Sequence, residues 1–135
     1  MVTVVDASVV VRLLLARKSD GLLRQRVVGA GRRLHAPAHL DTEVLSAISG
    51  LLKGGKIAEE RARRMVSQYS ALRIAPHKVA PFGNRVLSLR HNFTVHDAAY
   101  VALAEALEQP LLTCDAKFAR APESIHRAEI HTYPT

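Results

Sequence analysis

Short β-branched runs alternate with longer amphipathic segments along this chain. Two of the apolar runs, Val2–Val5 and Leu111–Thr113, are typical of buried inner strands. Weaker strand signals lie at 35–37, 72–75 and 128–131. The pattern therefore predicts two central strands and up to three further ones.

Four segments carry apolar residues at helical spacing. The clearest is Leu40–Lys53, in which the apolar residues share one stripe and Gly54 follows the end of the helix. The other predicted helices cover 59–71, 81–90 and 97–108, and the last of these is rich in the strong helix formers Ala and Leu. Each helix lies between strand candidates, so the elements alternate.

Alternating strands and helices with short connections predict an α/β fold. We expect a three-layer α/β/α architecture in which helices cover both faces of a central parallel sheet of four to five strands. The 135 residues are enough for one hydrophobic core. We therefore expect a single domain that spans residues 1–135.

Charge and cysteine content narrow the classes of function. Nineteen Lys and Arg residues against twelve Asp and Glu give a net charge of +7, which suits an anionic partner such as nucleic acid, an acidic protein or a membrane surface, or serves solubility alone. The single cysteine excludes an intramolecular disulfide and suits a reducing cytoplasm. No uncharged apolar stretch reaches the roughly 18 residues of a membrane span, so we expect no membrane anchor.

Four carboxylates occupy positions that predict a shared site. Asp6 and Asp115 directly follow or closely follow the two central strands, and side chains at the carboxyl ends of adjacent parallel strands emerge side by side. Asp97 opens the Ala-rich helix, and Glu43 lies in the first turn of its own helix. Each also has a structural interpretation, because Asp is a common helix cap and an early Glu is usually solvated.

If the four carboxylates converge, their mutual repulsion favours a bound cation. Oxygen ligands with room for water suit Mg²⁺ or Mn²⁺, which support hydrolysis of phosphodiesters. Ser8 and Thr113 each lie two residues from an acid and are candidates to orient a carboxylate. Ser8 is equally suited to the start of a helix.

Four segments together resemble a known family. VVDASVVV at 4–11, EVLSAI at 43–48, HDAAYVALAE at 96–105 and LLTCDAKFA at 111–119 stand in the order and at the separations of the PIN domain. Within that family the chain is similar to the VapC-type toxins of bacterial toxin–antitoxin pairs. The resemblance covers essentially the whole chain.

This resemblance implies a function and a set of partners. It implies Mg²⁺- or Mn²⁺-dependent cleavage of RNA by an acidic, metal-binding catalytic site made of Asp6, Glu43, Asp97 and Asp115, with Ser8 and Thr113 in supporting roles. It also implies a homodimer and a cognate VapB-like antitoxin whose C-terminal segment blocks the acidic pocket. Cations near the acids would offset repulsion of the RNA phosphates, and Arg12 and Lys117 are the candidates, although both also suit ordinary surface charge.

Two other enzyme classes fit the residues less well. His35 and His39 are four residues apart, but Pro37 lies between them and argues against a helix that presents both to zinc. Asp6 ends the first strand as the nucleophile of a phosphoaspartyl enzyme would. Haloacid-dehalogenase-like enzymes, however, carry a second Asp where Ser8 stands.

A non-enzymatic alternative is a catalytically silent PIN-like module that binds RNA or a protein without cutting it. All four acids of the motif are present in this chain. Their presence favours the ribonuclease over the binding module.

Overall fold

The computed structural model describes residues 2–28 and 33–133. Within these residues five parallel strands form one sheet, with the order β3-β2-β1-β4-β5. The strands are β1 (Val2–Val5), β2 (Arg33–Pro37), β3 (Ile74–His77), β4 (Leu111–Thr113) and β5 (Ile130–Thr132). The predicted parallel sheet is therefore confirmed, with five strands.

Helices flank the sheet in the three-layer α/β/α arrangement that the sequence predicts. They are α1 (Ala7–Leu15), α2 (Gly21–Val28), α3 (Leu40–Lys53), α4 (Glu59–Ala71), α5 (Gly83–Ser88) and α6 (Val95–Leu107). Short 3-10 helices lie at Lys18–Asp20, Ala80–Phe82, Ala116–Arg120 and Glu123–Ile125. None of the helices in the described residues combines the length and apolar character needed to cross a bilayer.

The two central strands are fully covered. Val4 pairs with Leu111 and Val5 with Leu112, and all four side chains are 0% exposed. Strands in a parallel sheet are buried on both faces, which explains why both runs are continuously apolar. This register sets the ends of β1 and β4 side by side, at the edge where Asp6 follows β1.

The Ala-rich helix α6 lies in the core rather than on its border. Its residues from Ala98 to Ala104 are at most 2% exposed, and the helix contacts β1, β2, β4 and α5. Small side chains allow this close approach to the sheet. The acidic first turn of α6 is thereby held near the ends of the central strands.

The helix bounds agree with the sequence prediction where the apolar stripe is clear. Both α3 and α4 have the predicted limits. The helix expected at 81–90 is instead a 3-10 turn followed by α5, which ends at Ser88. The short helix α2 was not predicted because its apolar residues form no consistent stripe, and Leu22 within it is 79% exposed.

The strand β3 begins two residues later than predicted. It runs through Pro76, which pairs with Ala36 of β2. Proline is tolerated in an edge strand because the missing amide is not needed by a further neighbour. β5 at the opposite edge is likewise displaced by about two residues toward the C-terminus.

Candidate active site

Asp6 is the buried centre of the site and also the N-cap of α1. Its carboxylate accepts from the Val9 amide at 3.1 Å, from Ser8 Oγ at 2.6 Å and from Thr113 Oγ1 at 2.5 Å. The residue is 5% exposed. The structural interpretation as a helix cap is thus confirmed for Asp6, and it coexists with a position at the strand ends.

Burial disfavours the charged form of the Asp6 carboxylate. Loss of solvent raises the pKa of Asp6 above its ordinary value, although hydrogen bonds from Ser8, Thr113 and the Val9 amide partly offset this, and the negative charge of Asp115 adds to the rise. These three donors are neutral hydroxyl and amide groups. They orient the carboxylate without neutralising its charge.

Ser8 and Thr113 connect the ends of the two central strands. Ser8 Oγ donates to Asp6 and accepts from the Cys114 amide at 2.8 Å. Thr113 Oγ1 donates to the other oxygen of Asp6 and accepts from the Asp115 amide at 3.0 Å. Both hydroxyls therefore lie where the sequence expects supporting groups, between Asp6 and the chain that leads to Asp115.

Asp97 and Asp115 face a single ammonium group. Lys117 Nζ lies 3.0 Å from Asp97 Oδ2 and 3.2 Å from Asp115 Oδ2. Asp115 also caps the following 3-10 helix, because its Oδ1 accepts from the Lys117 amide at 3.0 Å. Two carboxylates from distant parts of the sequence therefore converge on one cation.

The interpretation of Asp97 as a helix cap is wrong. Thr94 is the N-cap of α6, and its hydroxyl accepts from the Asp97 amide at 3.2 Å. Asp97 lies in the first helical turn, where a negative charge is favoured by the helix dipole. Its carboxylate is consequently available to the site.

Lys117 is held as a cation by its neighbours. Partial burial lowers the pKa of the Lys117 ammonium, but hydrogen bonds to Asp97 and Asp115 outweigh it, and the net shift is upward. The sequence proposed Lys117 as an RNA-binding residue. The structure gives it a contact that the sequence did not predict, with the acids themselves.

Glu43 enters the site from the first turn of α3 and is held by Tyr100. The Tyr100 hydroxyl donates to Glu43 Oε1 at 2.5 Å. Burial raises the pKa of Tyr100, and the charges of Glu43 and Asp6 raise it further, so the phenol keeps its proton. Tyr100 is 1% exposed, so its ring belongs to the core, while its hydroxyl contacts Glu43.

His39 forms the rim beside Glu43. Its Nε2 lies 3.3 Å from Glu43 Oε1, and its ring packs against the rings of His96 and Tyr100. Burial lowers the pKa of His39, although the charge of Glu43 opposes that shift. His35, the other residue of the possible zinc pair, contacts His77 at 2.7 Å instead, so the two histidines have separate partners.

Arg12 does not occupy the surface position that a phosphate-binding role requires. Its side chain is 8% exposed, and Nη1 lies 3.4 Å from Asp20 Oδ1. Asp20 also accepts from Arg17 at 3.1 Å. Helix α1 turns this side chain into the protein, so the geometry gives no support to Arg12 as an RNA contact.

The four candidate carboxylates suit a divalent cation that keeps part of its water shell better than a cation surrounded entirely by protein ligands. Within residues 2–28 and 33–133, no three His, Cys, Asp or Glu side chains are close enough to surround one ion directly. Mg²⁺ typically keeps several waters and takes only one or two carboxylates. Asp97 and Asp115, which already face one positive charge, fit that requirement.

Known proteins are similar to this chain in sequence and in fold. The PIN domain family matches residues 3–124. Ribonuclease VapC12 of Mycobacterium tuberculosis (strain ATCC 25618 / H37Rv) is 38% identical over 127 residues, which cover 94% of this chain and 95% of that protein. Ribonuclease VapC3 of the same strain is 37% identical over 123 residues, covering 91% and 89%.

Solved structures agree at the level of the fold. The crystal structure of VapBC2 from Rickettsia felis, bound to a DNA fragment from their promoter, superposes with a TM-score of 0.66 and covers 98% of both chains at 13% identity. The family match and the two relatives show the family of this chain as well as its fold. The chain belongs to the PIN-domain family and, within it, to the VapC ribonucleases.

Proposed function

We propose that this chain is a Mg²⁺- or Mn²⁺-dependent endoribonuclease and the toxin of a type II toxin–antitoxin pair. One observation carries the proposal. Asp97 and Asp115 converge on a single cation while Asp6, joined to the same strand ends, is buried with only neutral donors. Such an arrangement is costly unless a further cation compensates it.

Four side chains would hold the metal. Asp97 and Asp115 would contact it directly, and Asp6 and Glu43 would act on its waters. When bound, such an ion supplies an activated water and neutralises the negative charge that develops on a phosphodiester. The oxygen-only ligand set favours Mg²⁺ or Mn²⁺ over zinc.

The remaining residues of the site would keep the carboxylates in place. Ser8 and Thr113 fix both oxygens of Asp6, and Tyr100 fixes one oxygen of Glu43. Residues that hydrogen-bond to a metal ligand commonly contribute a factor of about 10 to 100 in metal affinity or activity. They would let the carboxylates bind an ion without first having to reorganise.

The net charge of +7 supports RNA as the substrate. An acidic pocket repels phosphates, and surrounding Lys and Arg residues offset that repulsion over the rest of the surface. The names of the relatives VapC12 and VapC3, both ribonucleases, support the same substrate.

The proposed protein partners are a VapB-like antitoxin and a second copy of this chain. The antitoxin is supported by the VapBC2 complex of Rickettsia felis and by a toxin–antitoxin complex from Klebsiella pneumoniae, which has a TM-score of 0.62. Homodimer formation is supported by the resemblance to VapC toxins. Size-exclusion chromatography with light scattering measures the oligomeric state.

Cleavage of RNA with defined metals tests the proposal. We expect purified protein to cut RNA internally with Mg²⁺ or Mn²⁺ and to lose this activity in EDTA and in the Asp97→Asn variant. Asparagine keeps the size of the side chain but removes its charge. RNA binding without cleavage under all conditions would contradict the enzyme and favour the silent binding module.

A further inference from the structure

Lys117 contacts two of the carboxylates that the proposed function assigns to the metal. Its ammonium lies between Asp97 and Asp115, at 3.0 Å and 3.2 Å. The lysine is anchored in the 3-10 helix Ala116–Arg120, two residues beyond Asp115. A positive group of the protein therefore occupies the position where an external cation is needed.

We propose that Lys117 competes with the divalent ion, holding Asp97 and Asp115 in the metal-free protein and leaving them when the ion binds. This inference rests on the proposed function, because that function assigns both carboxylates to the metal. It adds a regulatory role for a residue that the proposed function does not count among the metal ligands.

Competition follows from the geometry of the contacts. An Mg²⁺ ion binds carboxylate oxygens at about 2.0–2.1 Å. Asp115 Oδ1 already accepts from the Lys117 amide, so an ion that bridges the two acids would take Asp115 Oδ2, one of the two oxygens that now contact the ammonium. Two cations on the same oxygens would repel each other at short range. The ion and the ammonium therefore cannot both keep these contacts.

The exposure of the three side chains allows the lysine to leave. Lys117 is 47% exposed and Asp115 is 39% exposed, whereas Asp97 is 11% exposed. Ion pairs that are open to water are weak, and the four-carbon stem of lysine is flexible. The buried pair of Arg12 with Asp20, both 8% exposed, lacks this freedom. Lys117 is thus a displaceable cation rather than a fixed one.

A competing cation would set the metal concentration at which the site loads. With Lys117 in place, Asp97 and Asp115 repel each other less in the free protein, and an incoming ion must replace the ammonium. Without it, the two carboxylates face one another unpaired. Removal of the ammonium is therefore expected to strengthen metal binding and to weaken the metal-free fold.

Mn²⁺ binding by the Lys117→Met variant tests this inference without any measurement of activity. Methionine keeps a long unbranched side chain and removes the charge. We expect Mn²⁺ to bind roughly three- to tenfold more tightly than to the wild type, because two partly exposed ion pairs are lost. Electron paramagnetic resonance of free Mn²⁺, checked by titration calorimetry, gives the dissociation constant.

Two variants separate the local contact from net charge. Lys53→Met makes the same change at an exposed position in the last turn of α3, about 15 Å along the helix from Glu43, and is expected to leave Mn²⁺ affinity within about twofold of the wild type. Lys117→Arg keeps the charge and should stay far closer to the wild type than Lys117→Met does.

Thermal unfolding in EDTA provides the second readout. The Lys117→Met variant should melt at a lower temperature than Lys53→Met, because only the first leaves Asp97 and Asp115 without their cation. Lys117→Gln, a second neutral variant, replaces Lys117→Met if the latter aggregates. Circular dichroism before titration verifies that each variant is folded.

The outcomes distinguish this inference from the proposed function. Equal or weaker Mn²⁺ binding by the neutral Lys117 variants, with binding by the wild type intact, overturns the competition and leaves the metal-dependent nuclease standing. Absence of Mn²⁺ binding by the wild type and by every variant overturns both. Tighter binding only in the neutral Lys117 variants supports the inference.

Discussion

Two carboxylates in this protein have side chains that are largely withdrawn from water, yet their pKa values shift in opposite directions. Asp6 is 5% exposed and its pKa is raised, chiefly by burial. The Glu105 side chain is 4% exposed. Burial also pulls the pKa of Glu105 upward, yet hydrogen bonds from Arg85 and from the Arg127 amide reverse the shift and lower it.

The difference lies in the partners. Arg85 holds Glu105 with two hydrogen bonds, at 2.7 Å and 2.8 Å, and the Arg127 amide adds a third at 2.6 Å. Asp6 receives three hydrogen bonds as well, but from neutral groups. Glu105 has a cationic partner within its own chain, whereas Asp6 is oriented by neutral donors alone. That contrast distinguishes the site from the scaffold.

The largest expected effect comes from Asp6→Asn. RNA cleavage should fall by at least about 100-fold, because the variant removes a charge at the proposed metal site. The fold should survive, since Asn is as good an N-cap as Asp and can still accept from the Val9 amide. Single-turnover cleavage assays and thermal unfolding in EDTA measure the two quantities. A large loss of stability would contradict the assignment of Asp6 to the site.

Glu105→Gln should instead lower the stability of the fold and leave RNA cleavage nearly unchanged. Loss of the bidentate pair with Arg85 should lower the free energy of unfolding by about 2 kcal/mol, measured by urea denaturation. Cleavage per folded molecule should change little. Glu59→Gln is the matched control, because Glu59 pairs with Arg63 on the surface, where both side chains are more than 70% exposed. It should leave stability essentially unchanged.

Tyr100→Phe tests whether a buried hydroxyl serves the site or the core. The phenyl ring preserves packing, while Glu43 loses its donor, so cleavage should fall by roughly tenfold with little change in folding. Tyr69→Phe makes the same change at a hydroxyl that donates to Asp41, also in the first turn of α3. That variant should cleave like the wild type. Equal activity of the two variants would remove Tyr100 from the site.

The smallest effect is a difference in pH dependence, measured by thermal unfolding in EDTA. A raised folded-state pKa of Asp6 means that the wild type loses stability relative to Asp6→Asn as the pH rises above 3.8. A lowered folded-state pKa of Glu105 means that the wild type loses its advantage over Glu105→Gln as the pH falls below 4.5. The two difference curves should therefore slope in opposite directions.

The sequence predicted best those elements that local pattern controls. The limits of α3 follow from its apolar stripe and from Gly54 and Gly55, of which Gly55 has a positive φ of 68°. The strands β1 and β4 were recognisable because burial on both faces requires continuously apolar runs. Their adjacency, which brings Asp6 toward Asp115, depended on the topology and is confirmed by the register of β1 with β4.

The N-terminus of α6 carries a local sequence signal for its N-cap, Thr94. Thr94 stands three residues before Asp97, which is the spacing of a hydroxyl cap and an acidic residue at the third helical position. That spacing identifies Thr94, and not Asp97, as the N-cap of α6. The start of α6 was accordingly predicted two residues late, and its end one residue late.

Partners across the fold left no mark in the local sequence. Nothing near Tyr100 indicates that Glu43, 57 residues earlier, will accept a hydrogen bond from its hydroxyl. Nothing near Arg12 indicates that its side chain will be buried in a contact with Asp20. Such contacts depend on how the helices pack against the sheet. The same holds for the turn that carries Lys117 back onto Asp97. The sequence therefore predicted the nearby hydroxyls of Ser8 and Thr113 but not the contacts of Tyr100, Arg12 and Lys117.

The hydroxyl bridge from Thr113 to Asp6 joins residues 107 positions apart. A ribosome adds roughly 5–20 residues per second, so the second half of the site emerges on the order of ten seconds after the first. Until then the nascent chain has Asp6 but neither Thr113 nor Asp115. The proposed nuclease site is therefore incomplete on a nascent chain until Asp115 has been made, which leaves an inhibitor time to arrive.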